Sequence, residues 1–106
     1  MIRELEPAEL RQLMQAGGAL QLVDVREEEE LALARLAGAL HIPLGDLARR
    51  AGELDPDVPT VCICHHGMRS AGAAGLLHQR GFGTLFNLAG GVDRWAREVD
   101  PSMPRY

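Results

Sequence analysis

The residues best equipped for chemistry lie in one short stretch, Val61-Cys62-Ile63-Cys64-His65-His66-Gly67-Met68-Arg69-Ser70-Ala71. Val61 to Ile63 reads as the end of a buried strand, and Arg69 onward as the start of a helix. Cys64 to Arg69 then forms a six-residue loop, with Gly67 near its middle. Backbone N–H groups of such a loop, and of the helix start, aim positive charge at one spot. An anion is stabilised there, and a thiolate is an anion. Making a cysteine thiolate available about two pH units below its ordinary range takes about 2.7 kcal/mol. A helix terminus alone supplies about 0.3–1 kcal/mol, and about 2 in a favourable site. The loop amides must supply the rest as an anion-binding nest. Gly67 suits that nest, because glycine takes positive φ without strain. The chemistry indicated is nucleophilic covalent catalysis by Cys64.

The neighbouring groups admit other readings. Cys62 lies two residues earlier on the strand, and core packing explains it best. Cys62, Cys64, His65 and His66 are all metal-ligand types. Four ligands from five contiguous residues surround one tetrahedral ion poorly, and no distant cysteine completes a usual spacing. No metal is expected, and no cofactor. The glycines at Gly17-Gly18, Gly45 and Gly81-x-Gly83 lack phosphate-loop spacing, so a nucleotide site is not expected either.

Cys-His-His-Gly-Met-Arg-Ser resembles the active-site loop of single-domain rhodaneses, a family of sulfurtransferases. Leu22-Val23-Asp24-Val25-Arg26-Glu27 with Glu30 is similar to that family's early Asp-Val-Arg motif. Gly38-Ala39-Leu40-His41-Ile42-Pro43 follows, and Asn87-Leu88-Ala89-Gly90-Gly91-Val92-Asp93-Arg94-Trp95 resembles its closing Gly-Gly-x-x-x-Trp motif. The resemblance implies that Cys64 takes a sulfane sulfur from a small donor such as thiosulfate. The loop amides hold the persulfide, which passes to an acceptor such as cyanide, a small thiol or a protein thiol. It assigns donor binding to His65, His66, Gly67, Met68, Arg69 and Ser70. Arg69 either contacts the donor or braces the loop. Asp24 and Arg26 form a structural pair supporting the site. Some rhodaneses carry permanent charges where His65 and His66 stand; histidine is only partly charged at neutral pH, which predicts a pH-sensitive donor affinity. His41 reads as a hydrogen-bonding residue, and Trp95 as packing.

Two other functions share these residues. A persulfide carrier serving a partner protein needs the same thiol. A Cdc25-like phosphatase, whose fold the rhodanese fold resembles, places its arginine six residues after the cysteine. Here Arg69 comes five after Cys64, which favours sulfur over phosphate.

The elements that must position this loop alternate regularly. Ile2 to Leu5 reads as a strand. A helix follows from Pro7, with Leu10, Leu13 and Met14 as its apolar stripe, ending at Gly17-Gly18. Leu20 to Val25 is an apolar strand suited to burial on both faces of a parallel sheet. Glu27 to Ala34 reads as a helix whose glutamate run is a solvated helix start. Leu40-His41-Ile42 is a short strand, Leu44 to Leu54 a helix or helical turn, Thr60 to Ile63 a strand, and Arg69 to Arg80 a helix stopped by Gly81. Thr84 to Leu88 and Val92 to Val99 complete the pattern. This predicts one α/β domain over residues 1–106, a rhodanese-like, mostly parallel sheet of about five strands flanked by helices. Ligands in such sheets sit beyond the carboxyl ends of the strands, where Cys64 and Asp24-Val25-Arg26 both fall.

Bulk properties narrow the partners. A net charge of −4 argues against general nucleic-acid binding. No apolar run approaches a membrane span. The opening Met1-Ile2-Arg3-Glu4-Leu5-Glu6-Pro7 lacks the apolar core of a signal peptide. Cytoplasmic residence is the expectation, and free thiols fit a reducing compartment.

Overall fold

The computed structural model describes residues 2–106, so Met1 lies outside the described residues. Strands β1 (Ile2–Leu5), β2 (Gln21–Asp24), β3 (Leu40–His41), β4 (Thr60–Ile63) and β5 (Leu85–Leu88) form one parallel sheet in the order β1-β5-β4-β2-β3. The helices are α1 (Pro7–Ala16), α2 (Glu28–Leu33), α3 (Leu44–Arg50), α4 (Met68–Gln79) and α5 (Gly91–Glu98), with a short 3-10 turn at Ala51–Glu53.

Side-chain alternation along the strands explains two cores, one on each face of the sheet. Val23, Cys62 and Leu85 pack with Leu47 of α3 and Ala73 and Leu77 of α4. Leu22, Val61, Ile63 and Leu88 pack with Leu10 of α1 and Val92 and Trp95 of α5. Every residue of β4 is buried, because it is the central strand and is covered on both faces. Its carboxyl end therefore opens at the middle of the sheet edge, flanked by the ends of β5 and β2.

Three expectations change in detail. Leu13 and Met14 remain 38% and 37% exposed, so only Leu10 of the α1 stripe is fully covered. The helix after the loop begins at Met68, one residue earlier than its sequence pattern suggests. The glutamate run is only partly a solvated helix start. Glu27, Glu28 and Glu29 are exposed and Glu30 is half-buried, and Glu27 and Glu30 close a capping box across the first turn of α2. Glu30 also has a partner in the site.

Candidate active site

β4 delivers Cys64 at the centre of the sheet, with its side chain almost fully buried. The chain then turns sharply. Gly67 has φ 100°, caps the N-terminus of α4 and supplies the left-handed backbone that the turn needs. The turn points amides back at the sulfur. Gly67 N–H donates to Cys64 Sγ at 3.1 Å and Ser70 N–H at 3.3 Å. Such donors favour the charged sulfur over the neutral one.

Ser70 Oγ lies 3.2 Å from the same sulfur and also meets Asn87 Oδ1. A hydroxyl carries one hydrogen, and the amide oxygen can only accept it. With that hydrogen on Asn87, Ser70 presents a lone pair to a Cys64 thiol; with it turned round, it donates to a thiolate. Asn87, on β5, further donates from Nδ2 to Gly67 O at 2.9 Å and to the Glu4 carboxylate at 3.0 and 3.2 Å.

The loop is fastened to α5 as well. Val92 N–H donates to Cys64 O at 2.9 Å and Asp93 N–H to His65 O at 3.1 Å. With its carbonyls tied to the amino end of α5, the loop keeps its amides facing inward. Gly91, at φ 60°, permits the approach: a Cβ there would stand 2.3 Å from Cys64 O.

On the other side, Arg69 donates from both terminal nitrogens to Glu30 of α2, at 2.6 and 2.8 Å. The Arg69 guanidinium holds the Glu30 carboxyl down at about 2. Arg26 lies buried against Asp24 at 2.7 Å and donates to Tyr106 Oη at 2.8 Å. Tyr106 Oη donates in turn to Glu30 Oε2 at 2.8 Å. Among the described residues, Asp24 and Arg26 thus connect to the loop through Tyr106 and Glu30.

A cavity of about 260 Å³ over the sulfur is lined by Cys64, His65, His66, Met68 and Arg69. Met68 stands 85% exposed at its rim. His65 is sandwiched between His66 at 3.8 Å and Tyr106 at 3.9 Å between ring centroids. Burial first, and the neighbouring His66 second, push the His65 imidazole down from its ordinary value. This disfavours the charged form of His65, while both histidines line the cavity where an anionic donor would sit. Cys62 faces the core, and burial pushes its thiol up to about 12. That separates an inert thiol from the one the loop addresses.

Donor atoms of His65, His66 and Asp93 fall within 4.8 Å of one another. Asp93 is already engaged by Arg105 at 2.9 Å and Arg97 at 3.6 Å, so a cation would have to displace both.

The Rhodanese-like domain family model matches residues 6–98. This chain belongs to the rhodanese-like family. YtwF of Bacillus subtilis, whose name marks it provisionally as a sulfurtransferase, is 39% identical over 100 residues, 94% of this chain and 96% of its own length. The thiosulfate sulfurtransferase GlpE of Pseudomonas aeruginosa is 34% identical over 94% of this chain and 88% of its own. A rhodanese-related protein of Thermoplasma volcanium has a similar solved structure, with TM-score 0.82 and 32% identity over 92% of this chain and 93% of that one. The present rhodanese-like chain is accordingly a sulfurtransferase with a parallel α/β fold.

The rhodanese-like motifs located the loop, and the structure brings Cys64, His65, His66, Met68 and Arg69 around one cavity. Gly67 and Ser70 contribute amides beneath it. Three residues next to the site have no site role in the sequence pattern. Asn87 left a signal, a polar residue on the inward phase of the apolar strand Leu85-Phe86-Asn87-Leu88. Glu30 stands in the early Asp-Val-Arg motif and in a charge run, neither of which names its partner. Tyr106 left none, since the tail has no periodicity.

Proposed function

We propose that Cys64 is the nucleophile of a two-step sulfur transfer. Its thiolate attacks the outer sulfur of thiosulfate, a bond forms between Sγ and that sulfur, and the S–S bond breaks as sulfite leaves with the electron pair. Cyanide or a thiolate then takes the outer sulfur from the Cys64 persulfide and regenerates the thiolate. Each half-reaction conserves charge, and the covalent persulfide between them predicts ping-pong kinetics.

The observation that carries this reading is the pair of amides, Gly67 N–H and Ser70 N–H, converging on Cys64 Sγ. They stabilise negative charge at the nucleophile before attack and after sulfur leaves. Exposed Met68 gives the rim an apolar contact suited to an organic thiol acceptor.

Intact mass measured after thiosulfate treatment tests the assignment. One added sulfur atom is expected on the wild type and on Cys62→Ala, and none on Cys64→Ala. Persulfide found chiefly on Cys62 would overturn it.

A further inference from the structure

Arg69 is the one permanent cation lining the cavity over Cys64 among the described residues, and it is already occupied. Both of its terminal nitrogens bond the two oxygens of Glu30, the bidentate geometry by which arginine grips an oxyanion. Glu30 cannot swing away freely. Tyr106 Oη donates to its Oε2, and Glu27 N–H donates to its Oε1 at 3.0 Å. Among the described residues no second permanent cation lines the cavity. Arg97 and Arg105 are spent on Asp93. The rim offers compensated ion pairs, whereas thiosulfate brings two negative charges.

Resting on the sulfur-transfer reading above, we propose that Glu30 sets the charge class of the donor: by occupying Arg69 it disfavours dianions and directs Cys64 towards persulfides, R–S–SH, which carry at most one charge at the reacting group. In that step the Cys64 thiolate bonds the outer sulfur, the donor's S–S bond breaks, and R–S⁻ leaves with the electron pair. Cys64 is left as –S–SH, with no net oxidation or reduction. The loop amides suffice for a single outer sulfur, and exposed Met68 meets the organic group R.

The test compares kcat/KM for thiosulfate and for the persulfide of 2-mercaptoethanol, with cyanide as acceptor and the Cys64→Ala rate subtracted. In Glu30→Gln the thiosulfate-to-persulfide ratio rises about five- to tenfold, mainly through KM for thiosulfate, as one cation is unmasked. In Glu30→Gln/Arg69→Gln it returns to within about twofold of wild type. Wild-type kcat/KM for thiosulfate changes less than about twofold between about 20 and 300 mM salt, whereas that of Glu30→Gln falls steeply. A ratio unmoved by Glu30→Gln overturns the proposal. So does a wild-type thiosulfate rate that falls steeply with salt, a result obtainable even where the variants do not fold. If neither donor loads Cys64, the sulfur-transfer reading fails with it; if both load it and the ratio stays put, only the role of Glu30 fails.

Discussion

At the residue scale, the site depends on how closely backbone can approach backbone. Cys64 O and His65 O accept from the amino end of α5, and only a residue without Cβ at 91 allows it. In Gly91→Ala the new carbon would meet Cys64 O at 2.3 Å and His65 O at 2.4 Å, with φ already at 60°. Neither backbone atom can move without moving the nucleophile. The expected cost is about 2–4 kcal/mol in a denaturant titration, together with slower persulfide formation. Gly72 is the internal control: it lies in α4 with nothing within 4 Å of its would-be Cβ. Gly72→Ala should stabilise by about 0.5–1 kcal/mol. A Gly91→Ala protein as stable as wild type would show that the loop is not clamped in this way.

At the scale of elements, α2 and α4 are joined through Glu30 and Arg69, although neither helix packs its own apolar face there. The capping box of Glu27 and Glu30 fixes the start of α2, and the two oxygens of the same Glu30 carboxylate also accept from Arg69 at the start of α4. The Arg69 guanidinium, the largest influence, lowers the Glu30 carboxyl from 4.5 to about 2. The folded state therefore binds this proton more weakly than the unfolded chain does. The resulting stability is complete above about pH 4.5 and is lost as the pH falls towards about 2. Glu30→Gln should be less stable than wild type at pH 7, and the gap between their denaturation midpoints should narrow in acid. A gap independent of pH would mean that the ion pair contributes nothing through its charge. The strands and helices themselves were legible, because apolar runs bounded by glycine and proline mark a buried parallel sheet. What joins them was not: a run of four glutamates does not say which one meets an arginine 39 residues later. Leu13 and Met14 had the spacing of a core stripe, but α1 lies over the edge of the sheet that ends in β1, where one face is too narrow to cover them.

At the scale of the whole molecule, the six-residue loop is held from three directions, which decides what it can accept. β5 grips it through Asn87 and Gly67 O, α5 through Cys64 O and His65 O, and α2 through Arg69. Within that frame the Gly67 and Ser70 amides already touch the sulfur, at 3.1 and 3.3 Å. A tetrahedral phosphoryl group attacked by Cys64 would need those donors one bond further out, around its own oxygens. A loop longer by one residue could extend by about 3.3–3.6 Å and provide that room. This loop cannot widen without breaking a contact to β5, α5 or α2. A persulfide adds a single outer sulfur and needs only the space above Cys64. The protein should therefore transfer sulfur from thiosulfate to cyanide, yet release phosphate from an aryl phosphate no faster than Cys64→Ser does. One glycine inserted after Gly67 should weaken sulfur transfer, since it lifts the amides away from Sγ. Cys64-dependent phosphatase turnover in the unaltered protein would show that the frame yields more readily than its contacts imply.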